Sequence, residues 1–354
     1  MLVVRSVLRQ DLDPLFELIQ KSEYGLTTLK ISKDKLEERI EQSLFAFQQT
    51  KARPAGQPYV FVMEDLTNGK LVGTAAIYSK VGGYEPFYSY EILTALHQSI
   101  ELGVRKEIQV LHLRQEHNGP TEIGSLFLSP DYWGGGHGRL LSMSRLLFMA
   151  EFPTRFEKEV IAEMRGVVLK DGRAPLWSAL GSHFFQIEFP KAETLTSESK
   201  KFIGELMPKH PIYIPLLAPE AQNVIGKVHP NTEPALAMLK KEGFEFRNLV
   251  DIFDGGPTLH CEYGRIRVVR ESRKLKVGDI VKEIKASELM ICNAALDFRA
   301  CLGHLDVNER GEAVIDQVTA LRLNLRVGDS LRCVELKPKD SSDEIVQSGE
   351  QRGC

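Results

Sequence analysis

Four glycines stand within the six residues WGGGHG, positions 133–138, between an apolar run and a helix-forming one. Glycine inside a regular element costs stability, so this stretch either turns sharply or lets a ligand approach the main chain. A strand, a glycine-rich turn and a helix N-terminus aim several unpaired N–H groups at one spot, where the helix dipole also favours negative charge. Binding of phosphate oxygens is the chemistry that suits such a spot. The competing reading is a tight strand-to-helix turn with no ligand. Two phosphate-binding patterns are excluded by spacing: no Lys-Ser/Thr follows Gly138, as a Walker loop requires, and the GxGxxG of a dinucleotide fold is absent.

The elements that would hold this loop follow from periodicity. Residues 1–7 alternate and predict a strand; Leu12, Leu15, Phe16, Leu18 and Ile19 behind Asp11 predict an amphipathic helix. A second helix is predicted over 33–47. The runs YVFVMED and KLVGTAAIYSKV, separated by Thr67, Asn68 and Gly69, predict a hairpin. EIGSLFL, 122–128, is a short apolar strand, and 139–152 is a helix ended by Pro153. VIAEMRGVVL, 160–169, predicts a further strand. Two segments, 174–189 and 231–246, each show helical spacing, a glycine stop and an aromatic strand start. Either fits as the helix-strand unit that closes the core, leaving the other to an insertion. From about Arg270 the pattern becomes short strands, with turns predicted at 277–279 and 327–329. Beyond Leu336 the chain turns polar and predicts disorder.

Composition bounds the function classes. The chain has 354 residues, is 43% hydrophobic and 26% charged, and carries a formal net charge of −3. No overall basic field favours nucleic acid or anionic lipid. No apolar run is long enough to span a membrane, and the N-terminal stretch has too early a charge for a secretion signal. The five scattered cysteines lack CxxC spacing, which argues against a disulfide framework or a zinc site and points to the cytoplasm.

Trp133-x-x-Gly136-x-Gly138 resembles the coenzyme-binding loop of the GNAT superfamily of acyl-CoA N-acyltransferases, Arg/Gln-x-x-Gly-x-Gly/Ala, with Trp where a long polar residue is usual. Longer stretches are more specific. EIGSLFLSPDYW, LLSMSRLLFMAEF, VIAEMRGV, ELMPKHPIY, AQNVIGKVHPNTEPALAMLKKEGFEFRN and DIFDGGPTL together resemble the arginine N-succinyltransferase family, from Met1 to about Arg273 and more weakly beyond. The resemblance implies an α+β fold: a GNAT-like acyl-CoA N-acyltransferase mixed sheet flanked by helices, with a C-terminal β-rich subdomain. The expected division is a core over 1–270 carrying an insertion, a small subdomain over 271–336 and a tail over 337–354.

The implied reaction moves a succinyl group from succinyl-CoA, a co-substrate and not a resident cofactor, to the α-amine of L-arginine, the first step of succinyl-dependent arginine breakdown. Ornithine or another basic amino acid is the alternative acceptor, and a CoA-binding, non-catalytic relative is the alternative class. Both a homo-oligomer and pairing with a related subunit remain open. The chemistry needs an uncharged nitrogen, support for an oxyanion and a proton for the departing thiolate. His229 in VHPNT matches the family's proton-donating histidine, and taking the proton from the amine is the alternative role of the same residue. Leu126 matches a position of succinyl-CoA contact, explained by backbone pairing of the pantetheine arm along an open strand edge. Leu128 on the same strand and Gly134, Gly136 and Gly138 in the loop complete the expected coenzyme site; no metal ligand is expected. Glu122, Glu163, Asp251 and Asp254 are candidate acceptors for a guanidinium, and Arg165 or Lys209 for a carboxylate, although each residue singly also fits a surface or capping role. His137 and His210 are ambiguous.

Overall fold

The computed structural model describes residues 1–22, 29–83, 85–196 and 199–338. The predicted tail therefore lies, from residue 339 on, outside the described residues. Fifteen strands among them form one connected sheet: β1 (Leu2–Ser6), β2 (Pro58–Asp65), β3 (Lys70–Tyr78), β4 (Phe87–Ser99), β5 (Val104–Glu116), β6 (Thr121–Leu128), β7 (Glu159–Glu163), β8 (Ile212–Tyr213), β9 (Glu245–Val250), β10 (Pro257–Glu262), β11 (Arg273–Val281), β12 (Glu288–Asn293), β13 (Arg299–Val307), β14 (Ala313–Asp316) and β15 (Ser330–Val334). Their order is β12-β15-β11-β14-β13-β1-β2-β3-β6-β7-β10-β9-β4-β5-β8. The fold is an α+β arrangement: a mixed sheet flanked by helices, with a β-rich C-terminal part.

That C-terminal part closes on itself. β12 pairs with both β15 and β13, so the five strands β11–β15 form a ring around a core that includes Ile291, Cys301, Ile315 and Leu331. Antiparallel pairing of β1 with β13, Val4 opposite Ala300, fuses the ring to the main sheet.

Helices α1 (Leu12–Gln20) and α2 (Lys33–Gln48) cover one face of the main sheet, burying Leu15, Ile19, Leu36 and Ile40 against Val60, Val62 and Ala76. Helix α3 (His137–Glu151) covers the other face. Its residues from Leu140 to Met149 are all buried, because it lies between the sheet and the ring. Phe148 makes edge contacts with Phe61 and Phe298, both at 5.3 Å between ring centres, and so joins the two halves. A second core, built on Tyr90, Leu111, Trp177 and Phe189, packs on the β4–β5 hairpin.

Three sequence expectations change. The strand predicted over 160–169 stops at Glu163: Met164 still donates to the Pro257 carbonyl at 3.1 Å, but the Gly166 amide turns to Asp254 Oδ2 at 2.7 Å. The segment 174–189 contains no strand. Its helix widens into a π turn at Trp177–Gly181 and continues through Ser182–Phe185; Gly181 serves close packing, since a Cβ there would meet the Trp177 ring at 2.2 Å. The helix-strand unit of the sheet is the later one, Glu233–Lys241 followed by β9, with Gly243 at φ +101° between them. Finally, 277–279 is a bulge inside β11, where its pairing passes from β15 to β14, and only 327–329 is a turn, with Gly328 at φ +93°.

Candidate active site

The glycine loop has the geometry of an anion cradle. β6 ends in a short turn at Pro130–Tyr132, and Gly134, Gly135 and Gly136 follow at φ +96°, +56° and +78°. Three successive left-handed residues explain why only glycine serves here. Gly136 is the N-cap of α3. Among the described residues, the main-chain N–H groups of Gly134, Gly135, Gly136, Gly138 and Arg139 donate to no protein acceptor, whereas His137 donates to the Gly134 carbonyl at 3.1 Å. His137 Nδ1 lies 3.0 Å from the Tyr132 carbonyl and so braces the loop. Gly138 lacks a positive φ; its place against Leu128 is a matter of space, with a Cβ there 3.8 Å from the Leu128 side chain. Trp133 donates its indole N–H to the Leu128 carbonyl at 3.0 Å, while the ring is 66% exposed. Arg139 Nη1 is buried without a partner, one residue beyond the cradle. The sequence reading missed this arginine, although a cation directly after the second glycine of the motif was a legible signal.

β6 leads into the cradle along an open edge. It pairs in parallel with β7 only at Thr121–Val160 and Glu122–Ile161, and beyond Glu122 the two strands part. On its other edge β6 pairs with β3, but the register slips between Thr74 and Ala76, opposite Ser125 and Leu126. Ser125 sits at φ +50°, an uncommon place for a residue with a side chain. The bulge thus re-aims the main chain at Leu126. It is propped from α3 by Arg145, whose buried Nη1 donates to the Gly124 carbonyl at 2.9 Å; burial lowers its pKa to about 9.

His229 lies just past the end of β7. Its N–H donates to the Arg165 carbonyl at 2.9 Å, and Val228 bridges to Gly166. The imidazole caps the turn Pro230–Thr232 by accepting from the Asn231 N–H at Nδ1, 3.1 Å. A ring whose Nδ1 accepts carries its proton, when neutral, on Nε2. Leu126, Leu128 and His229 are therefore gathered at the same end of the parting β6–β7 pair, and the glycines continue from it. His210 and Lys209 are both exposed.

A second feature appears only in three dimensions. Strand register puts Glu122, Glu163 and Thr258 on one face: Glu122 beside Ile161, Glu163 two residues on, and Thr258 directly opposite Glu163. Asp251 and Asp254 lie on the loop between β9 and β10. Burial, then the charges of Glu122 and Asp251, push the Glu163 carboxyl well above the ordinary range. Glu122 and Asp251 are raised by burial as well. Asp254 is also raised, by burial and by Asp251, although it accepts from Gly166 and Gly256.

Among the described residues no group of histidine, cysteine and acidic side chains has metal-binding geometry, and no helix is long and apolar enough to cross a membrane. Cys261, Cys292, Cys301 and Cys333 are buried free thiols.

Residues 2–268 match the family described as arginine N-succinyltransferase beta subunit, and residues 273–335 match the C-terminal domain of that subunit. The chain is 43% identical over 348 residues to the arginine N-succinyltransferase of Enterobacter sp. strain 638, covering 97% of this chain and 100% of the relative. It is 42% identical to the enzyme of the same name from Escherichia coli strain 55989, covering 95% and 98%. The solved arginine/ornithine succinyltransferase subunit AI from Pseudomonas aeruginosa superposes with a TM-score of 0.87 at 34% identity, over 96% of this chain and 99% of that one. These full-length likenesses and the family match show that the chain belongs to the arginine N-succinyltransferase family.

Proposed function

We propose that this chain transfers the succinyl group of succinyl-CoA to the α-amino group of L-arginine, releasing CoA and N2-succinyl-L-arginine. The observation that carries the reading is the parting of β6 from β7 beside a bulge at Ser125, with β6 running into three left-handed glycines. The unpaired amides of Gly134, Gly136 and Gly138 would take the coenzyme diphosphate at the N-terminus of α3, with Arg139 adding positive charge. The pantetheine arm would pair along β6 as an added strand past Leu128, bringing the thioester to Leu126, where a main-chain N–H polarises its carbonyl.

The amine nitrogen attacks the thioester carbon, the C–S bond breaks, and the proton lost by nitrogen is balanced by the proton gained by sulfur. His229 is the donor at the sulfur end in its imidazolium form, which gives one proton to the departing sulfur and is left as neutral imidazole. A leaving thiol with a pKa of about 8.5 suits an imidazolium donor near neutral pH. We place the reaction in the cytoplasm. The beta-subunit description of the family and the subunit title of the Pseudomonas relative favour assembly with a related subunit or with a second copy.

That title also favours a second reading, in which ornithine is an acceptor. Thiol release from succinyl-CoA, measured with no amine, with arginine and with ornithine, tests both. Release that requires arginine supports the proposal; a higher kcat/KM for ornithine transfers the assignment to ornithine. Tight CoA binding without any turnover would instead indicate a non-catalytic relative.

A further inference from the structure

We propose that Glu122, Glu163 and Asp251, together with the Thr258 hydroxyl, form the subsite that receives the cationic end of the acceptor amino acid. The inference rests on the acceptor being a basic amino acid, and it names which groups of this chain read that cation.

The acidic cluster is not a solvated surface patch. Glu163 Oε1 is buried without a hydrogen-bond partner, and so is Thr258 Oγ1 on a residue with no exposed surface. The two side chains are cross-strand neighbours on the same face of the sheet. Buried polar atoms in folded proteins are nearly always paired, so two adjacent orphans, one of them a carboxylate oxygen, mark a place where a donor belongs. The glutamates on this face make no hydrogen bond or ion pair among the described residues. Glu122 lies over Gly124, where a Cβ would come within 3.1 Å of its Oε1, so the glycine leaves room for the carboxylate.

The balance of charge around Glu163 points the same way, whereas Glu122 feels the cations Lys200, Arg39 and Arg145. The groups acting most strongly on Glu163 are the three carboxylates of Glu122, Asp251 and Asp254, against one cation, Lys200. The Lys200 ammonium faces the Phe87 ring, 5.7 Å from its centre. Asp254 is occupied as a loop fastener by the amides of Gly166 and Gly256, and one oxygen of Asp251 by those of Phe253 and Asp254. Glu122, Glu163 and Thr258 remain as acceptors, with Asp251, whose carboxyl also meets that of Asp254, beside them. A guanidinium presents five N–H donors in a plane, a charge and a shape that these acceptors answer.

The location is also right for an acceptor. Glu163 is two residues before Arg165, to whose carbonyl the His229 main chain is bonded. Two extended residues span about 7 Å, a length comparable with an arginine side chain laid out from its α-carbon. The cation would sit at the carboxylates while the α-amine reaches toward the histidine end.

The test compares arginine with citrulline, which has the same length but an uncharged end. Calorimetric titration of each into the CoA-saturated protein is done for the wild type, Glu163→Gln and Glu122→Gln, with CoA affinity measured in parallel. The wild type is expected to bind arginine at least about 30-fold more tightly than citrulline. Glu163→Gln is expected to narrow that ratio to within about threefold and leave the CoA Kd unchanged. Glu163→Gln relieves a crowded charge and should fold at least as stably as the wild type; Glu122→Gln repeats the comparison at an independent position. A ratio preserved in both variants overturns the subsite. Binding does not depend on turnover, so the two readings separate. A wild type that discriminates through Glu163 but transfers no succinyl group sinks the activity alone, whereas transfer with an undiminished ratio in the variants sinks the subsite alone.

Discussion

Replacing His229 separates the chemical role proposed for its ring from the structural role that the ring visibly has. Nδ1 accepts from the Asn231 N–H at 3.1 Å and caps the turn that opens the helix Glu233–Lys241. His229→Ala removes that cap, which costs about 1 kcal/mol and lowers the melting temperature by about 2 °C in a chain of this size. It also removes the proposed proton donor, for which a loss of about 10²–10⁴ in kcat is expected. The proposed coenzyme contacts lie on β6 and the glycine loop, so the CoA Kd should move by less than about twofold. His229→Asn discriminates further. Asparagine is a strong N-cap residue, and its side-chain oxygen can accept the same Asn231 N–H, but it offers no titratable proton. It should recover the lost stability and none of the lost kcat. The assay is steady-state thiol release with saturating arginine and succinyl-CoA, alongside calorimetry and a thermal melt. Recovery of turnover in His229→Asn, or an equal loss of CoA binding and kcat in His229→Ala, would refute proton donation by this residue.

Three further outcomes follow from the geometry. Gly136→Val forces a β-branched residue to φ +78° and brings its Cβ within 3.1 Å of Leu336, so stability should fall by at least about 1–2 kcal/mol and CoA affinity by about tenfold or more; an unchanged CoA Kd would remove the loop from the coenzyme site. Glu242 is fully buried and accepts from Arg267 at 2.8 and 3.0 Å and from the Val268 N–H at 3.1 Å; Glu242→Ala should destabilise by about 3–5 kcal/mol in urea melts, because it strips the buried Arg267 guanidinium of its buried carboxylate and leaves it Glu271 at 3.3 Å and the Glu335 carbonyl at 3.1 Å, while the KM values hold, since none of these partners is a candidate site residue. The raised carboxyl of Glu163 means that the folded state holds its proton to higher pH than the unfolded chain. Its destabilising effect is absent below the ordinary glutamate range and develops as pH rises through the folded value, so Glu163→Gln should gain stability over the wild type as pH rises from 4 to 8; a constant difference would contradict this electrostatic account.

Much of the scaffold was legible because it is written locally. The helices at 12–20 and 33–48, the β2–β3 hairpin and the long helix after the glycine loop each declare themselves by apolar spacing and by residues such as Pro153. The glycine loop declared itself for the same reason: three left-handed residues in a row are a demand of the backbone that only glycine meets. Local signals misled where a glycine served packing and not termination, as at Gly181 against Trp177, and where a Val-Gly-Asp triplet marked a bulge instead of a turn.

By itself, the sequence determined the strand, loop and helix that can cradle a diphosphate, the context of His229 and the family likeness, because periodicity, backbone conformation and motif order are properties of neighbours in the chain. Tertiary structure alone decided that β6 and β7 part after two paired positions, that Ser125 bulges, that β11–β15 close into a ring, and that acids at 122, 163, 251 and 254 meet beside Thr258. Those outcomes depend on strand register, where a shift of one residue sends a side chain to the opposite face. A carboxylate that looks like ordinary surface in sequence becomes a buried, partnerless charge only once its strand has been placed.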